Sequence, residues 1–254
     1  MLTYLIVKEV RENLLSLKGA LWMLFAAILF SSLSYSFVTV KELSYISQVE
    51  MMNTFMKVVL LFGLLITLIL AASSIASEKE RGTLESLMLT PISKRKLVAG
   101  KWMGVIAAWV AVTVIASPYV FTIAKGTAIS GQVALFMFGF GTLIIGSFTA
   151  VSLGLSSIFH SSKNAMILSI IFFLMFALPA FLSTTTKKNG FGKFIDTISP
   201  LSGGIKMMKN LFVNKMSIAA AMGASPSIFI FFVVSLAFLV FAVQKLTLLG
   251  GDGN

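Results

Sequence analysis

Apolar positions gather along the chain into six long blocks separated by short polar breaks, at roughly 20–40, 55–77, 102–124, 132–159, 165–182 and 226–244. A helix rises about 1.5 Å per residue, so about 20 apolar residues cross a hydrocarbon core. Each block is near or above that length, which predicts an all-α integral membrane protein with about six transmembrane helices. Residues 1–18 are patterned differently. Leu2, Leu5, Ile6, Val10, Leu14 and Leu17 fall at roughly helical spacing, with Lys8, Glu9, Arg11 and Glu12 between them. This reads as an amphipathic helix on the membrane surface, and the interrupting charges argue against a cleaved leader. In the third block, Pro118 predicts a kink near one interface. In the fourth, Gly146, Ala150 and Gly154 stand four residues apart, with Ser152 and Ser156 as a second pair. Small residues at that spacing let helix backbones approach closely in lipid, so this face is predicted to be a packing seam. Between 183 and 225 hydrophobicity falls and no stretch is long enough to span. The tail after Gln244, rich in glycine, is expected to be disordered.

Composition agrees with a membrane chain. Of 254 residues 57% are hydrophobic and only 11% charged, against about a quarter charged in soluble domains. The length is used up by spans and connections, leaving no room for a nucleotide-binding domain. A net charge of +11 could indicate nucleic acid. Here the cations flank apolar spans, where anionic lipid is the counter-charge. Lys8, Arg11 and Lys18 before the first span, against Lys41 with Glu42 after it, favour a cytoplasmic amino terminus. The whole tally decides less, with eleven cations on that side and nine on the other.

Candidate chemistry is sparse. The chain has no cysteine and one histidine, so disulfides, thiolate metal sites and multi-histidine clusters are excluded. His160 beside Ser156 and Ser157 lacks an evident group to orient it, and reads as an interfacial side chain rather than a base. All acidic residues fall outside the six blocks, so a proton relay within the membrane is not expected. Sodium sites built of carbonyls and hydroxyls stay open, and with them secondary transport. A non-transporting membrane scaffold is a further alternative.

The most informative stretch joins the second and third blocks, S-E-K-E-R-G-T-L-E-S-L-M-L-T-P-I-S-K-R-K-L-V-A-G-K from Ser77 to Lys101. Ser77 followed by Glu80 fits a capping box, which predicts a new helix starting there. Leu84, Leu87 and Met88 would form its apolar stripe and Pro91 would stop it, while Ser93 would cap the next helix. Such a helix either docks a partner or rests on lipid, and the pattern favours neither.

The block from Glu78 to Lys101 resembles the signature of type-2 ABC transporter permeases, six-span exporter subunits with E-x-E-R-G-T-x-E-x-L-x-x-T-P-[IV]-S in that connection. The stretch V-K-E-V-R-E-N from Val7 is similar to the family's amino-terminal elbow helix, and Ile198–Leu201 also fits. The resemblance implies a single permease domain, with an elbow helix at 1–18, a cytoplasmic coupling segment at 78–94 and an extracellular region at 183–225. It further implies a cytoplasmic amino terminus, a multi-pass location in the plasma membrane, and a second permease subunit, identical or homologous. Two copies of a separate ABC ATPase subunit would hydrolyse ATP with Mg, so no cofactor or catalytic residue is expected here. Glu78, Glu80, Arg81, Gly82, Thr83, Glu85 and Pro91 would face that ATPase. The second and fifth spans would line the pathway with Phe55, Phe62, Thr67, Phe172, Phe173 and Phe176, a lining that suits apolar cargo. Leu201, Ser202, Gly203 and Gly204 match the start of the ATPase signature motif of ABC proteins. No phosphate-binding loop accompanies them, so a flexible turn is expected.

Overall fold

The computed structural model describes residues 2–39, 45–89, 92–124, 130–181 and 190–245, and all its regular elements among those residues are helical. In chain order they are α1 (Leu2–Leu14), α2 (Leu17–Val38), α3 (Tyr45–Glu80), α4 (Thr83–Met88), α5 (Lys94–Ile123), α6 (Ser130–Leu135), α7 (Thr142–Ile158), α8 (Ser162–Phe181), α9 (Gly190–Ile198), α10 (Pro200–Met208), α11 (Ile218–Gly223) and α12 (Ser227–Gln244). Residues Phe136–Gly141 and Lys209–Val213 wind as π-helix. The first of these joins α6 to α7 in one apolar rod, Ser130–Ile158. Among the described residues five helices are long and apolar enough to cross a membrane, and α8, an apolar helix of 20 residues, reaches about 30 Å.

Burial ranks the spans. The most apolar window of α3 is 61% buried within the protomer and that of the α6–α7 rod 67%, against 17% for α2. The bundle is therefore built on α3 and α7. Helix α5 packs on α3 and on α1, α2 lies against both α5 and α3, α8 lies against α3 and α7, and α12 packs on α7. Indole N–H groups of Trp102 and Trp109 on α5 donate to Thr149 and Thr142 on the α7 rod, each at 3.0 Å. Buried hydroxyls of α7 also serve α3. Ser152 donates to the Leu68 carbonyl at 3.0 Å, and its oxygen accepts from the Ser169 hydroxyl on α8 at 2.9 Å.

Several helices outrun the apolar blocks, because the backbone gains a hydrogen bond with each residue that continues a helix. Helix α3 begins by Tyr45 rather than near Phe55, so Glu50 lies inside it. Helix α5 begins at Lys94, capped as expected by Ser93, whose hydroxyl accepts from Lys96 N–H at 3.4 Å. It runs unbroken through Pro118. Pro179 has no described side chain, and 40–44, 90–91, 125–129, 182–189 and 246–254, which include Pro91, lie outside the described residues.

The region 190–225 corrects one expectation. Leu201–Gly204 are the first turn of α10, not a flexible turn. Ser199 caps it by accepting from Ser202 N–H at 3.2 Å, and Pro200 takes the first helical position, where a missing N–H costs nothing. Leu201, Met207, Met208, Leu211 and Phe212 are fully buried in the main core, the last with its ring edge-on to Phe136 at 6.1 Å. The lower hydrophobicity of this region reflects short helices that enter one end of the bundle.

Candidate functional site

At the opposite end of the bundle, α3 stops and the chain turns into α4. Ser77 does not cap a new helix there. Helix α3 continues to Glu80, and Arg81 N–H bonds the Ser77 carbonyl at 3.1 Å, so the orphan donors a cap would serve do not exist. The stop comes from Gly82, whose φ of +67° is the left-handed conformation that favours glycine. Its N–H bonds the Lys79 carbonyl at 3.1 Å, and the Thr83 hydroxyl donates to the Glu78 carbonyl at 3.3 Å, so the last turn of α3 is closed by a left-handed glycine. Arg81, Gly82, Thr83 and Glu85 face outward, while Leu84 turns inward and is 3% exposed, packed with Ile75, Leu97 and Leu153. Side chains of Leu87 and Met88 lie outside the described residues, as does Pro91.

Beneath this corner sits a buried ion triad. Lys101 Nζ on α5 lies 2.9 Å from Glu9 Oε1 on α1 and 2.8 Å from Glu78 Oε1 on α3. The Lys101 and Glu9 side chains are only 2% and 6% exposed. One ammonium thus clamps two carboxylates from different helices, and the low surrounding dielectric makes each pairing strong. Two glycines let α1 come close enough. A Cβ at Gly100 would stand 2.5 Å from Leu5 Cδ2, and one at Gly104 2.5 Å from Glu9 Cβ. They flank Lys101 four residues apart, the seam spacing seen in the fourth span.

The same corner is tied to α7 and α8. Ser156 Oγ accepts from Ile75 N–H at 3.1 Å and Ala76 N–H at 2.9 Å. Lys79 donates its ammonium to the Ser157 carbonyl. Glu80 accepts from the N–H of Ser162 at 3.0 Å and from its hydroxyl, serving the first turn of α8. The expected coupling residues thus divide. Glu78 and Glu80 are engaged inside the protomer, and Arg81, Gly82, Thr83 and Glu85 form its outer surface.

The expected pathway residues also divide. Phe55, Phe62, Thr67 and Phe173 are buried inside the single protomer. Phe55 and Phe62 flank Phe30 edge-on at 5.7 Å, and Thr67 donates to the Gly63 carbonyl at 2.7 Å. Phe172 and Phe176 instead border a groove of about 810 Å³ between α8 and α12, floored by α7 and almost wholly apolar.

On α7, Gly146 and Gly154 face α12, and Ala150 is fully buried. A Cβ at Gly154 would stand 2.6 Å from the Phe238 ring, and one at Gly146 3.1 Å from Phe232. Gly154→Leu is therefore expected to destabilise the protein by about 1–3 kcal/mol, the usual cost of overpacking. Gly146→Leu should cost less. Thermal midpoints in detergent check this, and equal midpoints for both variants and the parent would remove the seam.

His160 is exposed, and neither nearby serine is poised as a nucleophile. Ser156 serves the α3 backbone, and Ser157 donates to the Leu153 carbonyl at 2.9 Å. Among the described residues no group of three potential metal-binding side chains occurs. No curated protein matches the chain. A family model described as ABC-2 family transporter protein matches residues 6–246, taking in the triad, the α3–α4 corner and every span. The chain belongs to that family and is a membrane permease of an ABC transporter.

Proposed function

We propose that this chain is one of two permease subunits of an ATP-driven exporter, docking a separate ABC ATPase at the α3–α4 corner. Two ATPase subunits would hydrolyse ATP with Mg beneath the pair, at the cytoplasmic side of the plasma membrane, with α1 as the elbow on that side. The observation that carries this reading is the corner's construction. Its outer face is polar and exposed at Arg81, Gly82, Thr83 and Glu85, and its inner face is fastened to four other helices. Glu78 leads through Lys101 to α1 and α5, Ser156 and Lys79 tie it to α7, and Glu80 holds α8. A displacement imposed at the corner is thereby delivered to α8, whose Phe172 and Phe176 border the apolar groove. An apolar or amphipathic cargo suits that lining better than a bare ion.

Purification in mild detergent followed by mass spectrometry should recover an ABC ATPase with the permease. The double replacement Arg81→Ala with Glu85→Ala touches only exposed side chains, so insertion and thermal midpoint should be retained. The ATPase recovered should fall roughly tenfold, the loss expected from interface contacts worth about 1.4 kcal/mol. Undiminished recovery would take the corner out of the interface. Flux driven by an ion gradient with no ATPase present would favour secondary transport instead.

A further inference from the structure

The groove between α8 and α12 has a length, a polarity and a charged end that together specify a ligand. Along α12 its lining runs from Ser227 to Phe238, eleven rises of 1.5 Å or about 16 Å. One leaflet of a hydrocarbon core about 30 Å thick is about 15 Å deep. The walls over that length are apolar, from Ile171 and Met175 on α8 to Ile230 and Val234 on α12.

One end is marked differently. There the groove is closed by Thr197 and Ile198 of α9 and by Pro226 and Ser227 at the start of α12. Helix α9 exposes Phe191 at 74% and Phe194 at 62% beside an exposed Lys193. Apolar rings flanking a cation on a short helix suit the headgroup level of a bilayer. Lys193 stands one helical turn before Thr197. Lys206 reaches the same helix, pairing with Asp196 at 2.8 Å. The sequence of 183–225 holds six lysines and one acidic residue, Asp196, a basic balance that favours an anionic headgroup at the membrane surface.

We propose that the α8–α12 groove binds one anionic phospholipid of the leaflet on the α9 side, its acyl chain along Ile171 and Ile230 and its phosphate beside Lys193. This assignment does not rest on ATP-driven transport and stands or falls separately from it. Lys193 thereby holds lipid rather than setting orientation.

Native mass spectrometry of the full chain in detergent, titrated with phosphatidylglycerol or phosphatidylcholine of equal chain length, tests it. The parent should retain phosphatidylglycerol about fivefold more than phosphatidylcholine, the discrimination expected of one lysine beside an anionic headgroup. Ile230→Trp with Val234→Trp fills the groove from positions 62% and 60% exposed, and should abolish retention of both. Ile171→Trp on the facing wall should do the same, guarding against a folding defect in the first variant. Lys193→Gln with Lys206→Gln should erase the preference and leave phosphatidylcholine retention unchanged. Lipid retention unaltered by both groove-filling variants overturns the proposal. So does conversion of a dimer to a monomer by those variants with lipid counts unchanged, which would make the groove a seat for a second copy.

Discussion

Replacing Lys101 by Met is expected to destabilise the folded chain by about 3–5 kcal/mol, the range for breaking a buried ion pair by removing one partner. The reason is the number of charges left behind. Glu9 would stay buried and Glu78 half-buried without the ammonium that lies 2.9 Å and 2.8 Å from them. Glu78 has no reserve, since its second oxygen, Oε2, is already buried without a hydrogen-bond partner. Thermal midpoints in detergent should fall steeply for Lys101→Met and less for Glu9→Gln, which leaves Glu78 to pair with the lysine. Combining Glu9→Gln, Lys101→Met and Glu78→Gln should restore much of the loss, because replacing all the charges removes the desolvation cost as well as the attraction. If Lys101→Met melts like the parent, the triad contributes nothing to stability.

A second large effect is expected at Gly104. Its missing Cβ leaves room for the Cβ of Glu9, an atom fixed to the α1 backbone, so any side chain there must move the helix itself. Gly104→Leu should lift α1 off α5, part Glu9 from Lys101, and cost at least the roughly 1–3 kcal/mol of ordinary overpacking. Trypsin then finds Lys8 and Arg11 more readily, and cleavage within α1 should accelerate well beyond the parent rate. Gly100→Ala is the control. The three atoms nearest its Cβ all belong to the Leu5 side chain, the closest being its far end, which can rotate away, so its cleavage rate should stay near the parent's. Equal rates for Gly104→Leu and the parent would show that α1 is not seated through this glycine.

The two glycines also show where the sequence was legible and where it was not. The spans could be read because apolar length alone decides them. The seat of α1 was missed although Gly100 and Gly104 have the same four-residue spacing as Gly146, Ala150 and Gly154. They lie beside Lys94, Arg95, Lys96 and Lys101, where charge draws attention from close packing. The triad was not legible at all, since Glu9 and Lys101 are 92 residues apart and each reads alone as an ordinary flanking charge. Ser77 misled because a capping box and the interior of a continuing helix share one pattern. Only the path of α3, which runs on to the left-handed Gly82, decides between them. The helices of 190–225 were hidden for a related reason, since segments that enter a bundle from one end need no apolar run of spanning length.

The triad carries a consequence for how the chain is made. At a synthesis rate of about 5–20 residues per second, the 92 residues from Glu9 to Lys101 take roughly 5–18 s. During that interval Glu9 and then Glu78 have been made and the ammonium that joins them has not, so nothing yet ties the two carboxylates together. Helix α1 therefore waits in water or among headgroups until α5 arrives. Insertion of the third span then acts as a checkpoint, and a chain interrupted before it is left with an undocked amino terminus that a protease can find.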